Sequence, residues 1–414
     1  MHVETDSPYA YARLLVTLAL MTVGASGMYV VAVVLPAVQA EFGVARAEAS
    51  LPYTLQMIGF GLGGMLMGRL ADRRGIALPL GLGGVCLGLG FALAGSATGI
   101  GQFTLAHGLL IGLLGSSATF APLIADTTLW FAKRRGIAVA VCASGNYLGG
   151  AIWPPVVQHF VAEHGWRSTY LGLGLFCGTA MVLLALLMRR RPPAQLAPAP
   201  ARPGTVVQTA AVRDPARPFG LAPNSAMGLL CVAGVACCVA MSMPQVHIVA
   251  YCTDLGYGAA RGAEMLSLML VTGIVSRLVS GVICDRIGGL GTLLLGSALQ
   301  CVALVLFLPV DGLVPLYVVA GLFGLFQGGI VPSYAIIVRE HFSPAEAGAR
   351  VGAVIMCTML GMALGGWMSG KVFDLTGSYH AAFANGIAWN LLNFVIAIAL
   401  WLRVRSAGRR AAWA

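Results

Sequence analysis

One arginine, Arg277, interrupts residues 267–283 (SLMLVTGIVSRLVSGVI), a run otherwise apolar enough to cross a bilayer. A guanidinium keeps its proton at any physiological pH. Placing one at the centre of a membrane helix costs about 2.5–3.5 kcal/mol on insertion scales. The nearby sequence offers little to offset that cost. Asp285 is eight residues on, at the end of the run, which is about 12 Å along a helix. Asp126 stands near the end of a different apolar run. A transported anion is the chemically natural partner.

Other polar side chains fall inside apolar runs. His247 and Tyr251 are spaced i, i+4, so a helix sets them on one face. There they can hydrogen-bond a carboxylate, or simply pack at a helix end, and the imidazole can carry a proton. Asn146 and Gln327 lie near the middle of their runs, where a bound anion or neighbouring helices must satisfy them. Tyr29, Tyr53, Gln56 and Thr358 are weaker cavity candidates, and His107, alone in an apolar run, reads as a packing histidine. No H-E-x-x-H, no G-x-S-x-G and no phosphate loop is present, so no catalytic residue, cofactor or metal is expected. The ten cysteines form no C-x-x-C or zinc spacing; nearly all (Cys86, Cys142, Cys177, Cys231, Cys237, Cys238, Cys301, Cys357) fall in apolar runs and read as reduced packing residues.

The elements that must position these groups are membrane helices. The chain has 414 residues, 58% hydrophobic and 10% charged, whereas soluble domains need about 25% charged. Twelve runs of about 20 residues or more are expected near 13–38, 49–71, 77–97, 101–127, 136–161, 168–188, 224–252, 262–285, 290–309, 313–338, 346–373 and 380–403. The first is too long for a secretory leader and no small-residue cleavage site follows it. A Pro-, Ala- and Arg-rich stretch at 189–223 divides the chain into six-helix halves at 1–188 and 224–414. Apart from Arg277, 20 basic residues fall on the side of the termini and 4 opposite. That asymmetry expects both termini in the cytoplasm and explains the net charge of +10 without nucleic acid. Gly59-x-x-x-Gly63, Gly64-x-x-x-Gly68, Gly145-x-x-x-Gly149, Gly361-x-x-x-Gly365 and Gly366-x-x-x-Gly370 read as close helix contacts, and Pro154-Pro155 and Pro244 as kinks.

The halves repeat. Gly68-Arg-Leu-Ala-Asp72-Arg73-Arg-Gly75 follows the second run and Gly281-Val-Ile-Cys-Asp285-Arg286-Ile-Gly288 the eighth, 213 residues later. The repetition implies two bundles related by an axis along the membrane normal. Their charges set topology, or Asp72 and Asp285 dock on a helix N-terminus in one conformation as a gate.

On this motif the whole chain resembles the major facilitator superfamily. A finer resemblance is to its monocarboxylate transporter-like branch, including oxalate/formate exchangers. It rests on residues 35–50 (LPAVQAEFGVARAEAS), 130–150 (WFAKRRGIAVAVCASGNYLGG), Gly165-Trp166-Arg167 and 246–266 (VHIVAYCTDLGYGAARGAEML). The resemblance implies an all-α integral membrane fold of twelve helices in two pseudo-symmetric bundles. It also implies that Arg277, in the eighth helix, holds the place of a carboxylate-binding arginine. Proton-coupled members carry an aspartate one turn before that arginine, where this chain has Gly273. Dicarboxylate exchangers carry a second cation within the eleventh helix, and residues 351–370 have none.

The expectation is a secondary transporter of small organic anions, a monocarboxylate above all, working by proton symport or anion exchange as a monomer. The arginine-rich, alanine-rich composition suggests a bacterial inner membrane. The alternatives are a drug/proton antiporter, against which the absence of a mid-membrane carboxylate counts, and a non-transporting membrane sensor.

Overall fold

A computed structural model of the chain describes residues 5–131, 135–190, 217–343 and 346–411. Most of the expected linker, 191–216, and Lys133 and Arg134 therefore lie outside the described residues. Every regular element among the described residues is helical. We number the spans α1 Pro8–Phe42, α2 Arg46–Arg74, α3 Ala77–Gly95, α4 Ile100–Trp130, α5 135–164 and α6 166–187. The second half has α7 Pro223–Asp254, α8 259–287, α9 289–306, α10 Leu313–His341, α11 Ala347–Thr376 and α12 Tyr379–Ala411. The observed ends fall within eight residues of those expected from hydropathy.

Among the described residues nine stretches are long and apolar enough to span a bilayer, and two of these are helix pairs. The backbone reverses at Gly165 (φ 78°) between α5 and α6 and at Gly288 (φ 75°) between α8 and α9, a region that suits glycine. Cross-contacts fix the reversal: Gly145 and Gly149 of α5 meet Leu18 and Thr22 in register with α1. On α6, Arg167 reaches Glu41 at the far end of α1 and Met188 accepts from Arg13 at its start. The twelfth span is α2, which holds its charges (Arg46, Glu48, Arg69, Asp72, Arg73, Arg74) near its two ends and runs apolar between them.

The repeat is visible in the backbone. Shifted by 213 residues, α2 (46–74) coincides with α8 (259–287), and Gly75 (φ 85°) with Gly288. Three spans are interrupted, two of them just before a proline, Pro122 in α4 and Pro332 in α10. α1 is broken at Ala25, α10 at Gly328–Gly329, and α4 passes through π geometry at Ala106–Gly115 and a 3₁₀ turn at Ser116–Thr119. In α4 close glycine contacts adjoin the irregular winding. A Cβ on Gly59 would lie against the Gly108 carbonyl and one on Gly63 against the Leu113 carbonyl, so α2 presses its bare backbone into α4. π winding is rare and tends to fall at functional sites.

The glycine pairs divide accordingly. Gly59/Gly63, Gly145/Gly149, Gly361/Gly365 and Gly366/Gly370 all abut neighbouring helices. Gly64-x-x-x-Gly68 does not: Gly64 has only Ala121 Cβ at 3.8 Å and Gly68 has open space. That pair is a correction to the close-contact reading. All ten cysteines are free thiols.

Candidate functional site

Arg277 sits four residues beyond the midpoint of α8, about 6 Å along the helix toward the terminal end. No carboxylate pairs with it among the described residues. Asp126 is taken by Arg13 at 3.0 Å, both side chains buried, and Asp285 is exposed without an ion pair. Instead the Arg277 guanidinium carbon lies 4.4 Å over the ring of Tyr147, which comes from α5 of the other bundle. Its Nε is buried and makes no hydrogen bond among the described residues. The side chain is otherwise half-buried.

Two expected residues gather near this stack. Tyr29 of α1 donates to Asn146 Oδ1 at 2.9 Å, and the Asn146 amide reaches Met28 Sδ at 3.3 Å. Asn146 adjoins Tyr147, and the Tyr29 ring stands against Gly150 one turn on. Behind Arg277, α10 is broken where Gly328 meets it: a Cβ there would lie 2.9 Å from the Arg277 backbone nitrogen, and Gly328 N–H donates to Ser276 Oγ at 3.0 Å. The adjoining Gln327 accepts from Gln245 of α7 at 3.1 Å, while its own amide nitrogen is buried without a partner among the described residues. Tyr53 is buried with its ring on Gly366 of α11, a contact between the two bundles.

His247 and Tyr251 do share a face, since both rings contact Tyr379 of α12. Their partners in this conformation are not those of Arg277. His247 Nε2 meets Gly366 O at 2.8 Å and Nδ1 meets Tyr379 OH at 3.3 Å, while Tyr251 OH donates to Asp311 at 3.4 Å. Because Tyr379 OH also accepts from Arg46 Nη1 at 2.7 Å, and arginine can only donate, the phenol is left to donate to His247. Gln56 and Thr358 likewise have partners away from Arg277. Gln56 joins the Gly27 carbonyl to His107 Nδ1 (2.8 Å), whose Nε2 meets Tyr170 OH (3.2 Å), and Thr358 Oγ1 donates to its own helix at Ile355 O. His107 is thus a satisfied packing histidine.

The sequence counted Arg46 only toward topology, yet it anchors the tie between bundles at the end opposite the termini. From α2 it pairs with Asp254 of α7 at 3.2 Å, donates to Tyr379, and lies 4.7 Å over Phe373 of α11. Asp374 of α11 accepts both the Arg46 and Ala47 amides at 2.8 Å, capping α2 from the other bundle. The contacts continue inward through Thr54 to Ala363 O (3.0 Å) and through Ser267 to Ala151 O, and on α5–α8 they reach the Tyr147–Gly273 level. By contrast, the pairs Arg13–Asp126 and Arg350–Glu346 at the terminal end each stay within one bundle. The Gly165-Trp166-Arg167 segment also has a role within its bundle: both side chains grip Glu41, and Arg167 donates to Gly95 O at 2.9 Å.

The repeated motif lies at the terminal end. Asp72, Arg73, Asp285 and Arg286 are exposed and make no ion pair among the described residues. The carboxylate that does sit on a helix N-terminus there is Glu340, which accepts the Gly289 amide at 3.3 Å. Gly68, Asp72, Arg73 and Gly75 line a cavity of about 1050 Å³ with Arg189 and Arg190.

The profile of the Major Facilitator Superfamily matches residues 15–318. The chain belongs to that superfamily. It is similar to monocarboxylate transporter 13 of Rattus norvegicus, 28% identical over 85% of this chain and 78% of the relative. It is also similar to the agnestins efflux protein of Paecilomyces divaricatus, 22% identical over 82% and 75%. In solved structures the superfamily fold recurs in a bacterial homologue of the lysosomal transporter Spinster, inward-facing and unoccupied, with TM-score 0.72, 14% identity and 98% of each chain covered. The protein is therefore a multi-pass membrane transporter of that superfamily.

Proposed function

We propose that this superfamily member carries small organic anions, monocarboxylates in first place, across a bacterial inner membrane, with both termini in the cytoplasm. One observation carries the reading: a half-buried guanidinium one turn beyond the middle of α8 has an aromatic ring and, among the described residues, no carboxylate as its partner. A dehydrated permanent charge is costly, and a substrate carboxylate offsets it while accepting the in-plane N–H donors that arginine offers. One such charge suits one carboxylate. The relatives named monocarboxylate transporters support the same class.

With the termini cytoplasmic, the ties at Arg46, Asp254 and Asp374 close the outer end, and the conformation is the one that faces the cytoplasm. Alternating access then requires those ties to break while the terminal ends of the bundles close together. Asp72 and Asp285, unpaired in this state, would find helix N-termini as partners in the other. The boundaries of the bundles remain those proposed from composition, 1–188 and 224–414 about a 189–223 linker.

Export by the same site is the second reading, favoured by the relative named an efflux protein. Uptake of radiolabelled carboxylates into proteoliposomes, from either side, tests both. Saturable flux of one acid that is abolished in Arg277→Ala and impaired in Arg277→Lys is expected. Flux unchanged in Arg277→Ala refutes the assignment.

A further inference from the structure

We infer that Tyr147 is the positioning residue for the anion-binding guanidinium, and that residue 273 is a glycine so that the Tyr147 ring can enter. The inference rests on the proposed anion role of Arg277 and adds a residue to it. Gly273 lies one helical turn before Arg277 on α8. A Cβ built there would come 2.5 Å from Tyr147 Cε1 and 2.9 Å from Cδ1. Real Cβ atoms do not approach so closely, so any side chain at 273 must displace the ring.

The ring is held from its own side as well. Tyr147 is 8% exposed, and its neighbour Asn146 is fixed by the Tyr29 hydroxyl. A ring is also a different kind of partner from a carboxylate. It covers the flat face of the guanidinium and stabilises the charge through its quadrupole. It leaves the terminal N–H donors, which lie in the guanidinium plane, uncovered for a ligand. A carboxylate paired with Arg277 would occupy those same donors and compete with the transported anion. The arrangement thus tolerates a buried cation between turnovers without blocking the site. It is also shared, with ring and guanidinium on opposite bundles, so it forms only while α5 and α8 are apposed at this depth.

The test is a double-substitution cycle read as KM against maximal rate in proteoliposomes, with Arg277→Ala measured first on the same carboxylate. Tyr147→Ala is expected to raise KM roughly threefold to thirtyfold, with the maximal rate held within about twofold. Tyr147→Phe, which keeps the ring, should stay near wild type. If Tyr147→Ala does not assemble, Tyr147→Leu keeps volume without a quadrupole and should show the same rise. Gly273→Ala should raise KM alone and add nothing on the Tyr147→Ala background, because its harm runs through the ring. An unchanged KM in Tyr147→Ala or Tyr147→Leu overturns the inference. So does a Gly273→Ala effect that adds in full to the tyrosine substitution. If Arg277→Ala leaves KM unchanged, the anion reading itself falls, an outcome distinct from a silent Tyr147.

Discussion

Replacing Arg46 by alanine should open the end of the molecule opposite the termini. The side chain is 9% exposed and its contacts all run from the first bundle to the second. The charged hydrogen bond to Tyr379 at 2.7 Å is of a kind that contributes about 1.5–3 kcal/mol. The pair with Asp254, whose side chain is 36% exposed, adds no more than about 1 kcal/mol because water screens it. The stack on Phe373 adds about 0.5–1 kcal/mol. With the low end for the hydrogen bond and the stack and the upper limit for the ion pair, the cluster supplies about 3 kcal/mol, a factor of about 150 in the equilibrium between closed and open. A protein closed at that end about 99 times in 100 would become nearly evenly divided. Double electron–electron resonance between unnatural amino-acid spin labels at Glu48 and Thr376, exposed on opposite bundles at that end, reads the shift directly. The substituted protein should gain a longer-distance population of comparable weight, and Arg46→Lys a smaller one. An unchanged distance distribution in Arg46→Ala would refute the idea that this cluster holds the end shut.

Removing one member of the buried Arg13–Asp126 pair should cost about 3–5 kcal/mol because the other is left uncompensated. Thermal unfolding in detergent should therefore drop far more for Asp126→Leu alone than for Arg13→Met with Asp126→Leu, and equal losses would contradict the pairing. Gly63→Ala should lower the melting temperature and the monodisperse yield, since its Cβ would meet the Leu113 carbonyl and backbone cannot easily yield. Gly68→Ala, in open space, should fold normally. A loss of transport in Gly68→Ala with intact melting would then report on the motif in the alternate conformation, whereas a folding defect would show that the space around it is misjudged.

The spans were legible because about 20 apolar residues have few other uses, and Arg277 because a permanent charge stands out in such a run. The shared face of His247 and Tyr251 was also legible, following from helical spacing alone. Their partners were not: Tyr379 is 132 residues from His247 in sequence, and nothing local to residue 247 points to it. The same is true of Tyr147, whose ring meets Arg277 only because two bundles pack at that depth. Arg46 gave a usable signal, since it opens α2 while Asp254 and Asp374 close α7 and α11 at the same end. Charge counting for topology absorbed it. The breaks in α4 and α10 each precede a proline, Pro122 and Pro332, which cannot donate to the carbonyl four residues back, and glycine contacts from neighbouring helices adjoin both; the break in α1 at Ala25 has no such proline and no local signal.

The 213-residue repeat leaves one inequality with a consequence of its own. Counted back by the same offset, the position of Arg277 falls on Gly64, a residue with room around it and no charge. The duplicated scaffold is symmetric, but its grip on an anion is one-handed. The cargo would be a passenger of the second bundle throughout the cycle, with the first bundle moving past it as a shutter. The blank at Gly64 is then where a second hand could be grown. An arginine there would be the shortest route from a carrier of one carboxylate to a carrier of two.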